Sequence, residues 1–173
     1  MHVRDVMTTR VHRCMPEDSL AHAAQLMWQH DIGCVPVCTS LGNGAEHVIG
    51  IITDRDICMC ALFQGQPLGE LHVKQAMTTR LRCCAPNDTL EFAEKLMTDG
   101  QIRRLPVVSA DRRLIGLVSL ADLARGAATL GVNFTLAQKE AEKQQVFNIL
   151  AAISSPPPRI SLVQDSMLRA ETG

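Results

Sequence analysis

Two short stretches of the chain place a hydroxyl and a carboxylate three residues apart. Thr53 precedes Asp56 in Gly50-Ile51-Ile52-Thr53-Asp54-Arg55-Asp56, and Ser119 precedes Asp122 in Gly116-Leu117-Val118-Ser119-Leu120-Ala121-Asp122. At the opening of a helix this spacing sets the two side chains next to each other, and a carboxylate so placed can accept both hydrogens of a ribose diol. The same pairs can instead form a capping box, in which hydroxyl and carboxylate satisfy the unpaired amides of the helix start. The two roles can coexist. Phosphates would lie toward the helix starts, where those amides and the helix dipole favour anions. Arg55 inside the first stretch, and Arg103 and Arg104 just before Leu105-Pro106, are the candidate phosphate ligands, with solvated surface arginine as the competing reading.

The cysteines are the other reactive groups. There are seven, Cys14, Cys34, Cys38, Cys58, Cys60, Cys83 and Cys84, an odd number at irregular spacing that argues against a disulfide framework. Cys58-x-Cys60 and six histidines invite a metal. Residues two apart on a helix point about 200° apart, however, and cannot readily chelate one ion. Cys14 and Cys84, with His12 or Cys83 nearby, could meet across a two-fold, yet small buried apolar residues are the preferred account of these cysteines. No metal is expected. No Ser-His-Asp order, Walker loop or strand-linked glycine-rich fingerprint is present, so catalysis has no visible carrier.

The elements that must position these residues emerge from an internal repeat. Val6-Met7-Thr8-Thr9-Arg10 returns as Ala76-Met77-Thr78-Thr79-Arg80 at an offset of 70, and Pro16, Asp18, Leu20, Ala23, Leu26-Met27, Ile32 and Pro36-Val37 all find partners in that register. Ile49-Gly50 matches Ile115-Gly116 at an offset of 66, so the first copy has four extra residues, near Leu41-Gly42-Asn43-Gly44. Each copy predicts the same order. A short extended segment (11–14; 81–84) leads to a helix opening at Asp18-Ser19 or Asp88-Thr89, both good caps. Two short strands follow (34–38 and 47–52; 105–108 and 114–118), then a second helix (54–62; 120–127). Leu20, Ala23, Ala24 and Met27 share one face of the first helix, which must meet a sheet. Three short strands are too little sheet to stand alone, so the copies are expected to pack about a pseudo-two-fold axis.

The two closing heptapeptides, each preceded in its copy by an apolar residue and a proline (Val35-Pro36; Leu105-Pro106), resemble those of paired cystathionine-β-synthase (CBS) domains. The resemblance covers roughly residues 1 to 128. It implies an α/β fold of the α+β type, two β-α-β-β-α repeats at 1–66 and 67–128. It also implies two clefts between them that in relatives hold AMP, ADP, ATP or S-adenosylmethionine. Carried onto this chain, Thr53, Asp56, Ser119 and Asp122 would hold ribose, Val11, Pro36, Leu81 and Pro106 would line base pockets, and Arg55, Arg103 and Arg104 would meet phosphates. The implied function is a stand-alone regulatory module, not an enzyme, often a homodimer. The rivals are an interaction protein with empty clefts and a thiol or metal sensor.

Residues 129–173 depart from the repeat. Thr135 and Gln138 form a capping-box pattern that opens a C-terminal helix. Val146, Ile149, Leu150 and Ile153 share one face of it, Lys139, Glu140, Glu142 and Lys143 lie in its charged first half, and Pro156-Pro157-Pro158 ends it. The apolar face would dock on a second subunit, on an unidentified protein partner or on the chain's own module, and residues beyond Pro158 are expected to be mobile. A net charge of −1 and a pI near 6.6 offer no footprint for nucleic acid or an anionic membrane surface. With no apolar run near the length of a membrane span and no secretory h-region, a cytoplasmic location is the expectation.

Overall fold

Serine and threonine start the first helix of each repeat as expected. The Ser19 hydroxyl accepts the His22 amide at 3.1 Å to open α1 (Leu20–Gln29), and the Thr89 hydroxyl accepts that of Phe92 at 3.2 Å to open α3 (Leu90–Gly100). Each helix turns Leu, Ala and Met inward, Leu20, Ala23 and Met27 in α1 and Leu90, Ala93 and Met97 in α3. In the computed structural model, residues 1–40, 46–130, 144, 147, 148 and 150–152 are described, 127–130 by backbone alone. The expected insertion at 41–44 and most of the tail lie outside them.

The remaining elements are β1 (Cys34–Ser40), β2 (Glu46–Thr53), α2 (Asp54–Gln64), β3 (Arg104–Val108), β4 (Leu114–Ser119) and α4 (Leu120–Leu130). β1 pairs antiparallel with β2, and β3 with β4, each as a two-stranded sheet. The register slips at the same place in both, between Val37 and Cys38 and between Val107 and Val108. The slip releases an amide to a third segment. Cys38 N–H donates to Cys14 O at 2.9 Å while Cys14 N–H donates to Pro36 O at 3.1 Å, and Val108, Cys84 and Pro106 repeat the arrangement. The extended segments expected at 11–14 and 81–84 are thus reduced to one parallel bridge each, Cys14 to Val37 and Cys84 to Val107. Four residues before a proline turn are too few to sustain a ladder.

Two apolar clusters form, and each is completed by the chain that leads into the other repeat. Val3, Val6 and Met7 pack with Leu90, Met97, Leu105 and Val118, whereas Leu71, Val73, Ala76 and Met77 pack with Leu20, Met27, Val35 and Ile52. Backbone bonds follow suit: Thr8 bridges Leu117 on β4, and Thr78 bridges Ile51 on β2. The crossing is symmetric, and it ties the repeats together about the expected pseudo-two-fold. At the same seam β2 meets β4, and His47 of β2 bridges Arg113, the residue just before β4.

Candidate functional site

The crossing segments leave two clefts between the repeats. One, of about 660 Å³, is lined by Thr8, Arg10 and Val11 from the N-terminal segment and by Ser119 and Asp122 at the start of α4. The other, of about 770 Å³, is lined by Thr78, Arg80 and Leu81 from the second such segment and by Thr53 and Asp56 at the start of α2. Each Met-Thr-Thr-Arg motif therefore serves the cleft of the opposite repeat. Cys34, Arg103 and Arg104 line both clefts.

At the helix starts both capping boxes are made. Asp56 Oδ2 accepts the Thr53 amide at 2.9 Å and its hydroxyl at 2.7 Å, while the Asp56 amide donates to Thr53 Oγ1 at 3.2 Å. Asp122 Oδ2 accepts the Ser119 amide at 2.8 Å and hydroxyl at 2.6 Å, with 3.2 Å for the return bond. One carboxylate oxygen is thereby committed in each pair, and the other distinguishes them. Asp122 Oδ1 accepts a guanidinium hydrogen from Arg125, one turn along the same helix. Asp56 Oδ1 has no partner among the described residues, because the position one turn on is Met59.

The residues singled out by sequence divide as follows. Thr53, Asp56, Arg55, Leu81 and Pro106 line the larger cleft; Ser119, Asp122 and Val11 line the smaller. Pro36 lines neither. It is buried in β1, opposite Ile51, with its carbonyl bound to Cys14. Arg104 leans over Gly33: a Cβ added there would stand 3.2 Å from Arg104 Nη2 and 3.4 Å from Asp54 Oδ2. The bare backbone at Gly33 makes room for the guanidinium at the meeting point of the clefts. Arg10, Asp31 and Arg125 in the smaller cleft, and Asp54, Arg80, Arg82 and Gln101 in the larger, were missed by the sequence reading, and His12, weighed there only as a metal ligand, lines the smaller cleft. Arg10 and Arg80 carried a signal, since both close the repeated motif. Arg125 carried another, since a cation three residues after a helical carboxylate faces it.

Four of the seven cysteines, Cys14, Cys34, Cys38 and Cys84, follow the buried reading, and Cys58, which is exposed, departs from it. Cys14 packs in the cluster of Leu20 and Ile52 and Cys84 in that of Leu90 and Val118, so the two-fold does not bring them together. Burial pushes the Cys14 and Cys84 thiols up to about 12 and those of Cys34 and Cys38 to about 11. Cys58 and Cys60 sit on α2, exposed and half-buried respectively. Among the described residues no three histidine, cysteine or acidic side chains gather as a metal site, and no helix is long and apolar enough to cross a membrane. Of the expected tail helix, Gln144, Phe147, Asn148 and Leu150 to Ala152 are described and helical, and Leu150 reaches the smaller cleft. Thr135, Gln138, the charged stretch, Val146, Ile149, Ile153 and the prolines lie outside the described residues.

A family profile described as CBS domain matches residues 3–61 and 73–128. CBS domain-containing protein YhcV of Bacillus subtilis is 42% identical over 122 residues, which are 70% of this chain and 82% of that protein. The crystal structure of Hypoxic Response Protein I with two coordinated zinc ions is 32% identical with a TM-score of 0.63, covering 72% of this chain and 98% of that one. CBSX2 in complex with AMP is 27% identical with a TM-score of 0.64, covering 75% and 97%.

Proposed function

The chain belongs to the CBS domain family, and from that premise we propose that it is a regulatory sensor that binds an adenosine-type ligand between its repeats, with no catalysis of its own. The observation that carries the proposal is the capped Thr53-Asp56 pair. Its box fixes the carboxylate and leaves Oδ1 as an unengaged acceptor at the wall of a cleft large enough for a nucleotide. A charged acceptor already held in place binds a diol without the cost of ordering a side chain. Leu81 and Pro106 supply apolar surface for a base, and Arg55, Arg103 and Arg104 supply charge for phosphates. That CBSX2 is seen with AMP supports AMP, ADP, ATP or S-adenosylmethionine as the class to test. The zinc ions of Hypoxic Response Protein I make zinc the second reading.

Thermal unfolding with AMP, ATP, NADH, S-adenosylmethionine and zinc, each against a chelator control, tests both. A ligand that binds only the native state raises stability by RT ln(1 + [L]/Kd), about 2.7 kcal/mol at a hundredfold excess over Kd. A shift with an adenosine ligand that persists in chelator supports the sensor. A shift with zinc alone replaces it by a metal site, and no shift with any of them leaves an interaction protein.

In the same reading the module is a homodimer. Trp28 on α1 and Leu62 and Phe63 on α2 are 88%, 71% and 79% exposed, a concentration of apolar surface on one repeat that a lone module leaves in water.

A further inference from the structure

The two clefts are built from the same motif, yet their carboxylates are not equally available. Asp122 has both oxygens engaged, Oδ2 in the capping box and Oδ1 with Arg125. Its side chain is 11% exposed. A ribose at Ser119 would have to displace the guanidinium before it met an acceptor. Asp56 has Oδ2 engaged in the same way and Oδ1 open, and the residue in the place of Arg125 is Met59, which can neither donate to Asp56 nor neutralise it.

The surrounding charge points the same way. Arg55, Arg80, Arg82, Arg103 and Arg104 line the larger cleft against Asp54 and Asp56. In the smaller cleft Arg10, Arg103 and Arg104 are joined by Arg125, which is engaged with Asp122, and by apolar Leu150. A ligand with a diol at one end and phosphate at the other therefore meets arginines in both clefts, more of them in the larger, but finds its carboxylate acceptor ready in that cleft only.

Resting on the adenosine-ligand reading, we infer that the clefts are inequivalent: the Thr53-Asp56 cleft takes the nucleotide, and Arg125 is a specificity-determining residue that withholds the Ser119-Asp122 cleft by occupying its ribose acceptor. One nucleotide binds per chain, and the second cleft opens to a diol only when Arg125 is drawn off.

Titration calorimetry of the full chain with AMP measures stoichiometry and affinity for the wild type, Asp56→Asn, Asp122→Asn and Arg125→Met. Asparagine keeps each capping box with its carbonyl oxygen. The box therefore forces the amide nitrogen into the Oδ1 position, where a donor replaces the acceptor a ribose needs. The expected results are one site in the wild type, a loss of about tenfold or more in affinity for Asp56→Asn, and no change for Asp122→Asn. Arg125→Met, which copies Met59, should raise the stoichiometry from one to two. Two equal sites in the wild type, a loss confined to Asp122→Asn, or an Arg125→Met protein still at one site would each overturn the inference. Absence of binding to any variant, by AMP or by ATP in a parallel run, would instead overturn the adenosine reading on which it rests.

Discussion

Met7 lies across Gly116: a Cβ on that glycine would stand 2.8 Å from Met7 Sδ and 2.9 Å from Thr8 O. The second repeat has the same contact, Met77 over Gly50, with 2.8 Å to the sulfur and 3.2 Å to Thr78 O. The repeated Met-Thr-Thr-Arg motif and the repeated strand glycine are two halves of one device, since the segment from one repeat can lie flat on the other's sheet only where that sheet has no side chain. Gly116→Ala and Gly50→Ala are therefore each expected to destabilise the fold by about 1–3 kcal/mol through overpacking. Gly116→Ala should cost more, because the backbone oxygen it meets is nearer, 2.9 Å against 3.2 Å, and cannot move aside as a methionine side chain can. Chemical denaturation of both variants measures this. Combining Gly116→Ala with Met7→Ala should recover part of the loss, as expected of coupled neighbours. Strictly additive losses would show that the contact does not hold the repeats together.

The thiols set an alkaline limit. Cys14, Cys34, Cys38 and Cys84 are pushed up by burial, to about 12, 11, 11 and 12, from an ordinary value near 9.0 that the unfolded chain recovers. Above pH 9 the unfolded chain loses thiol protons that the native state keeps. The native state then binds more protons, and stability falls with rising pH. The contribution is complete below pH 9 and disappears progressively toward pH 11 to 12. Denaturant midpoints should stay level through neutral pH and drop beyond 9, with a shallower drop in a Cys14→Ala, Cys84→Ala protein. An equal slope in that variant would remove these thiols as the cause. At neutral pH a thiol reagent should label exposed Cys58 first and reach the four buried cysteines only in denaturant.

Much of this was legible in the sequence because duplication tests each assignment twice. Ser19 and Thr89 cap at equivalent positions, and the Thr53 and Ser119 boxes close alike. What could not be read was which repeat a segment serves. Val11 and Leu81 precede the helices of their own copies, yet line the cleft of the other, because the chain crosses over before the helix begins. Local pattern carries no trace of a crossover. Nor does it show that Cys14 and Cys84, equivalent by repeat, are held apart in two cores.

Assembly is open to a direct test. Exposed Leu62 and Phe63 are consecutive near the end of α2, and exposed Trp28 lies near the end of α1. If a second copy covers them, light scattering gives twice 18.9 kDa at micromolar concentration, and Leu62→Glu with Phe63→Glu gives the monomer. Truncation after Asn133 separates the tail's contribution, since an intact dimer in that protein would show that the tail is not the dimer contact. A wild-type monomer would refute the dimer.

Arg103 and Arg104 stand where the clefts meet and line both, so under the proposed function the phosphates of a nucleotide in the Thr53-Asp56 cleft would lie within their reach. Two adjacent guanidinium groups neutralise more phosphate charge than one, and the advantage grows with the number of phosphates. Changing both to alanine should therefore cost more affinity for ATP than for AMP, and least for adenosine. Part of that difference is long-range attraction between partly exposed charges, which shrinks as the Debye length falls from about 10 Å at 0.1 M salt to about 3 Å at 1 M. The ATP-to-AMP gap should narrow accordingly in high salt, while the contribution of the ribose anchor at Asp56, a short-range hydrogen bond, should persist. Gly33→Ala offers a milder version, since its new methyl would press on Arg104 without removing its charge. Its loss should again fall more on ATP than on adenosine. Equal losses for all three ligands would assign these arginines to the fold and not to phosphate.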